Sequence, residues 1–190
     1  MINNFIDSEN FKNVDFVKKG FPKGEYDNCT FINCDFYNLD LSNINFIECE
    51  FKDCNLSLIN LENTTLNEVN FSNCKMLGVN FSKCNNFLLT ITFNDCQLNL
   101  ASFFKLKLKK SKFTDCNLQE VEFSEADLSL STFNNCDFSR AIFDNTNLEK
   151  ANFKTSFNYS INPEINNLKK AKFSKEGLAG LLLKYQLIIE

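Results

Sequence analysis

A chain of 190 residues suits a single domain, and its formal charge of −4 weighs against general affinity for nucleic acid through phosphate neutralisation. With no histidine and no CxxC pair, the nine cysteines carry no zinc or redox signature, and their odd number weighs against a secreted disulfide scaffold. No basic segment followed by an apolar run opens the chain, and no apolar stretch is long enough to cross a bilayer, so a cytoplasmic protein without membrane association is expected.

Phenylalanine dominates the apolar set, with 22 residues against no tryptophan, five glycines and two prolines. At the start of the chain Phe11, Phe16 and Phe21 lie five apart. Glu9 and Lys19 occupy the position two before the ring, however, and Gly20, Pro22 and Gly24 break the pattern. Residues 1–25 are expected to form an irregular N-terminal cap, since the end of a repeat stack must present a polar outer face. A flexible tail is the other reading of this segment.

From Tyr26 the period of five is regular through Phe31, Phe36, Leu41, Phe46, Phe51, Leu56, Leu61, Leu66, Phe71, Met76 and Phe81. Helices repeat near 3.6 and strands near 2, so a period of five marks a tandem repeat rather than a single element. Two extra residues fall within 82–92, and the phase resumes at Phe93 and holds to Phe153. Cys34, Cys54 and Cys74 are twenty apart, as are Cys96, Cys116 and Cys136, so four fives make one turn. Residues 26–157 therefore read as an all-β square solenoid, each side giving one large and one small side chain to a narrow interior. Cysteine in the small column is expected to be buried, reduced and inert.

Residues 158–190 change character and are expected to form a C-terminal cap. Ser174 is placed to cap a short helix whose apolar stripe is Leu178, Leu181, Leu182 and Tyr185, and Leu187, Ile188 and Ile189 follow as a short strand. This stripe either plugs the solenoid or, with Leu187 and Ile188, joins two copies into a homodimer, the reading favoured here because the apolar surface exceeds what one small end needs.

The triplets Ala126-Asp127-Leu128, Cys136-Asp137-Phe138 and Ala151-Asn152-Phe153 resemble the motif of the pentapeptide-repeat family. That resemblance implies a right-handed quadrilateral β-helix with a short C-terminal α-helix. The acidic rod, the break at 85–92 and the layout of the C-terminal segment are similar to the Qnr-like subset of that family. The subset implies a non-enzymatic DNA mimic that binds a type II topoisomerase, DNA gyrase or topoisomerase IV, and protects it from quinolones. A two-residue insertion is much shorter than the projecting loop of that subset.

Charge is banded along the chain. Residues 25–70 hold nine acidic side chains and one basic, 71–112 one and seven, and 113–153 eight and two. The basic belt is Lys105, Lys107, Lys109, Lys110 and Lys112, which serves either as a solvated surface or as a contact for an acidic partner. Candidate topoisomerase contacts are Asp35, Asp40, Glu48, Asp53, Asp115, Glu120 and Asp127 in the acidic bands, with Phe87, Leu88 and Leu89 in the break. Phe87 points either outward or into the interior. No catalytic residue, metal or cofactor is expected, and no direct contact with nucleic acid. The competing reading is a rigid repeat scaffold for an unrelated protein partner.

Overall fold

Along an extended segment successive side chains alternate in direction, so each five-residue side turns its central residue, and the small residue two places earlier, to one face. The structure, a computed structural model, describes residues 4–188. The chain winds as a parallel, four-sided β-solenoid with a short helical segment at its C-terminal end.

Face one is centred on Ile6, Tyr26, Phe46, Leu66, Leu108, Leu128, Leu148 and Leu168, and its early turns form a four-stranded parallel sheet. Face two carries the seven-stranded sheet from Asn10–Lys12 to Thr132–Asn134, with Phe31 over Phe11, Phe51 over Phe31, and so on. Faces three and four, centred on residues such as Phe36 and Phe81, are held by single bridges between turns, Asp35 to Asn55 and Asn80 to Ser102 among them. The register is twenty residues until Phe71 pairs with Phe93, where it becomes 22 and then returns to twenty.

The corners explain the abundance of Asn and Asp. The residue two past most centres adopts a left-handed conformation, with φ from 49° at Asn28 to 65° at Lys110, which Asn and Asp tolerate better than most side chains; Lys83 and Thr155 are among the exceptions. The residue before many centres caps its own turn, as where Asp35 Oδ1 accepts the Tyr37 N–H at 3.0 Å and Asp127 Oδ1 accepts that of Ser129 at 3.0 Å. Asparagine performs this task equally well in Asn60 and Asn117.

Inside, nine phenylalanine rings from Phe11 to Phe173 form a continuous stack on face two, with centroids 4.7–5.3 Å apart and planes within 24°. The small column donates to carbonyls of the preceding turn: Thr64 Oγ1 to Leu41 O at 2.8 Å, Ser131 Oγ to Leu108 O at 2.8 Å, and Cys54 Sγ to Phe31 O at 3.4 Å. A thiol here is a bulkier, weaker version of the same donor. All nine cysteines are buried and free. Burial pushes the thiols of Cys49 and Cys84 up to about 12, which keeps them protonated at neutral pH.

At the N-terminal end, Asn4–Asp7 and Asn10–Lys12 pair with the next turn, so the segment expected as a cap makes a turn of the solenoid. Its irregularity lies on face three, where the helical turn Phe16–Lys19, capped by Asp15, takes the place of an extended side. At the other end the bridges continue past residue 157, with Asn147 to Asn167 and Asn152 to Lys172.

A helical segment then runs from Glu176 to Tyr185, α-helical over Ala179–Leu182 and 3-10 on either side. Ser174 Oγ accepts the Gly177 N–H at 3.0 Å, as its capping role predicts. Leu181 packs on the core. The strand expected over Leu187–Ile189 is absent at the two residues described: Gln186 turns left-handed (φ 51°), and Leu187 and Ile188 lie outside any ladder. Ile189 falls outside the described residues.

Under the helical segment the hydroxyl of Tyr159 is buried without a hydrogen-bond partner. Leaving a polar group unpaired costs about 1–3 kcal/mol. Tyr159→Phe is therefore expected to raise stability by about 1 kcal/mol in urea denaturation, and a loss of similar size would contradict this account.

Candidate partner-binding surfaces

The seven carboxylates singled out from the sequence do not share one surface. Glu48 stands on the edge between faces one and two, and Asp127 on face one. Asp40 is on face four, held by Ser42 and by Lys23 Nζ at 3.1 Å. The Ser42 hydroxyl first, with Lys23 beside it, lowers the Asp40 carboxyl to about 2. Glu120, on the edge between faces three and four, is neutralised by Arg140 of the next turn.

Asp53 and Asp115 do come together on the edge between faces two and three, and Asp35 stands beside that edge at the first outward position of face three. Sequence bands hide this edge because its members are separated by whole turns. Asp95 on it, and Asp15 and Asp137 beside it, were passed over in the sequence, and the twenty-residue column that aligned the cysteines is the signal that would have found them. Two shallow grooves run along it, one lined by Asp15, Asn33 and Asp35, the other by Asp53, Asn73, Lys75 and Asp95.

The edge and the positions beside it thus present one aspartate per turn, with Lys75 in place of a carboxylate at the middle. Turns are stacked at about 4.8 Å, so charge recurs along the solenoid axis on a scale comparable with the roughly 3.4 Å of helix axis per phosphate of one DNA strand. Asparagines of neighbouring turns hold these carboxylates outward: Asn73 Nδ2 donates to Asp53 at 2.5 Å and Asn135 Nδ2 to Asp115 at 2.7 Å. Burial works against ionisation of Asp137, but hydrogen bonds from Ser139 and Asn158 prevail and hold its carboxyl below the ordinary value. Asp15 is lowered by its ion pair with Lys18.

The two inserted residues lie between Asn85 and Ile91. Asn85 N still bonds Thr64 O in the old register, and Ile91 opposes Val69 in the new one. The extra length bulges from face one. Phe87 is 72% exposed and Leu88 59%, which settles the direction of Phe87 as outward. Leu89 turns the other way and packs against the core, which leaves it half-buried and less accessible than Phe87 and Leu88.

Of the belt, Lys105 sits over the Phe104 ring and pairs with Glu125 on face four's edge, while Lys107, Lys109 and Lys110 lie on face one and its edge and Lys112 on face two. The C-terminal stripe is divided. Leu181 and Leu182 are half-buried, Leu178, Leu187 and Ile188 are exposed, and Tyr185 is tied back to Glu164 by a 2.8 Å hydrogen bond. Among the described residues no group of His, Cys, Asp and Glu is arranged to hold a metal, and no helix is long and apolar enough to cross a membrane.

Comparison with known proteins agrees with this geometry. The chain is similar to two solved forms of QnrB1, described as a plasmid-mediated fluoroquinolone resistance protein. One is 20% identical with a TM-score of 0.59, covering 98% of this chain and 92% of that one. The other is 21% identical with a TM-score of 0.50, covering 99% and 98%. At these identities the likeness is one of fold. A search of curated sequences found no match. The pentapeptide repeat region profile matches residues 24–103 and 86–161, so the chain belongs to the pentapeptide-repeat family.

Proposed function

We propose that the protein is a non-enzymatic DNA mimic that docks the edge between faces two and three into the cationic DNA-binding groove of a type II topoisomerase, DNA gyrase or topoisomerase IV. The observation that carries this reading is the line of aspartates, one per turn, on a solenoid whose fold matches QnrB1. Complementary charge would speed and orient encounter with such a groove. Protection from quinolones follows if occupancy displaces the drug-sensitive DNA complex.

The fold supplies a clean test, because asparagine already stands at equivalent positions in Asn33, Asn73 and Asn135 and in Asn55 and Asn117. A variant combining Asp35→Asn, Asp53→Asn, Asp95→Asn, Asp115→Asn and Asp137→Asn keeps the turns and removes the charge. The wild-type protein is expected to inhibit gyrase supercoiling or relieve fluoroquinolone inhibition, and the variant to lose at least about tenfold in affinity, equivalent to about 1.4 kcal/mol. A wild-type protein that neither binds, inhibits nor protects at micromolar concentration refutes the proposal.

The spread of Asp40, Glu48, Glu120 and Asp127 over the other surfaces favours a second reading, a rigid scaffold for an unrelated protein. In that case the neutralised variant holds its partner as tightly as the wild type.

A further inference from the structure

Exposed large apolar side chains are not spread evenly over the early turns. Among the described residues, those from residue 17 to residue 100 outside the loop are Val17, Tyr37, Leu58, Leu77 and Leu100, and all stand on face three or on its edge toward face four. The last four, 38–60% exposed, fall one to a turn in successive turns, alternating between the second outward position of face three and that edge. Leu58 lies across Gly78, its Cδ2 2.9 Å from where a Cβ of residue 78 would stand, so it fills the place of the side chain that the next turn lacks. Ser57, at the outward position between Tyr37 and Leu77, is buried beneath the larger side chains around it.

The fold does not need this strip. Leu58 and Leu100 are corner residues with φ of 59° and 62°, a conformation that Asn and Asp adopt more readily than leucine. Each therefore holds an unfavourable backbone conformation and also leaves an apolar side chain in water. Strain and exposure at the same residues indicate a contact made outside the chain.

We propose that the strip and the carboxylates beside it bind a basic amphipathic α-helix of a partner protein, laid along the solenoid axis with its apolar stripe on Tyr37, Leu58, Leu77 and Leu100. Charge sets the sign of the partner. Within these four turns, the outward positions of faces three and four and the two edges of face three hold Asp35, Asp40, Asp53, Glu62 and Asp95 against one base, Lys75. Asp40 is paired with Lys23, but among the described residues the other four carboxylates have no ion-pair partner within 4.0 Å. Lys83 and Lys105 lie beyond, on the far edge of face four. A second copy, an anionic lipid surface or DNA would set like charge against like here, whereas a cationic segment is complementary.

Pitch sets its shape. Solenoid turns recur at about 4.8 Å, while a helix returns a side chain to the same face about every 5.4 Å and a strand about every 6.7 Å. Over the three intervals from Tyr37 to Leu100 a helix drifts by about 2 Å and keeps one side chain beside each turn, but a strand drifts by about 6 Å, more than a whole turn. About ten helical residues span that length, and a diameter of about 10–12 Å with side chains lets the basic flank reach across face three to Asp53 and Asp95. Lys75 marks the position at which the helix carries no base. This surface borders the aspartate edge but goes beyond the topoisomerase reading and does not rest on it, since the helix is recognised whichever protein carries it.

Fluorescence anisotropy on the full chain tests the inference with a labelled peptide of about 14 lysine and leucine residues, leucine on one helical face, against the same residues reordered so that leucine surrounds the helix. The amphipathic peptide is expected to bind at least about tenfold more tightly than the reordered one. Leu58→Asn with Leu100→Asn, which gives both corners a residue suited to them, should lose at least about tenfold in affinity while its urea midpoint holds or rises, and this separates a contact from a folding role. Asp53→Asn with Asp95→Asn should weaken binding and flatten its salt dependence, and Lys75→Asp should tighten it. Equal affinity for the two peptides, binding of neither at micromolar protein, or a leucine variant that binds like the wild type overturns the proposal. No topoisomerase enters the measurement, so a protein that passes it and leaves gyrase untouched refutes the topoisomerase reading alone.

Discussion

Phe113→Ala is expected to destabilise the solenoid by about 3–5 kcal/mol, the range for truncating a fully buried aromatic residue. The ring is completely buried. It stacks on Phe93 and Phe133 at 5.1 Å each and meets Phe103 edge-on at 5.9 Å. The neighbouring turns are held at the inter-strand distance by backbone hydrogen bonds, so they cannot close on the vacated space, and the cavity persists. Stability in a solenoid is approximately a sum of nearest-neighbour terms, so a break at mid-stack weakens two interfaces at once. Phe11→Ala removes a half-buried ring from the first turn and should cost less than half as much. Urea denaturation of the two variants checks the contrast. A loss below about 1 kcal/mol for Phe113→Ala would mean that the stack contributes little.

The ladder itself was legible in the sequence because a phase repeated every five residues, and cysteines twenty apart, leave one geometry that satisfies both. The surfaces were not, for a related reason. Residues close in sequence, such as Asp35, Asp40 and Glu48, point to different sides of a square coil, whereas Asp53 and Asp115 share one edge across an interval that contains the phase slip. Grouping charges by stretches of chain therefore mixed the faces. The direction of Phe87 depended on which residues absorbed the slip, and composition carries no trace of that choice. The helical turn at Phe16–Lys19 hid behind a phenylalanine that keeps the repeat's phase. At the C-terminal end the apolar residues suggested a strand after Tyr185, but a strand needs a free ladder edge, and the helical segment covers the end of the coil.

Gly180→Val is expected to lift that helical segment off the solenoid. A Cβ at residue 180 would stand 2.2 Å from the backbone oxygen of Tyr159, an atom that cannot rotate away. The clash is therefore relieved only by moving the helix. Such a movement breaks the 3.0 Å bond from Ile161 N to Gly180 O, withdraws Leu181 from the core and bares Tyr159 and Phe173. Only the last turn loses its cover, so the cost is that of exposing a few apolar side chains, about 2–4 kcal/mol. The remaining turns stay folded, as expected when units contact only their neighbours. The measurable signs are faster proteolysis after residue 173, increased binding of a hydrophobic dye, and a far-ultraviolet β signal close to that of the wild type. Gly177→Ala should act in the same direction, because a Cβ there would stand 1.8 Å from the Tyr159 hydroxyl, on a ring that is itself buried against Phe153 and Phe173. If both variants keep the C-terminal segment protected, the close approach of the helix to Tyr159 does not hold it in place.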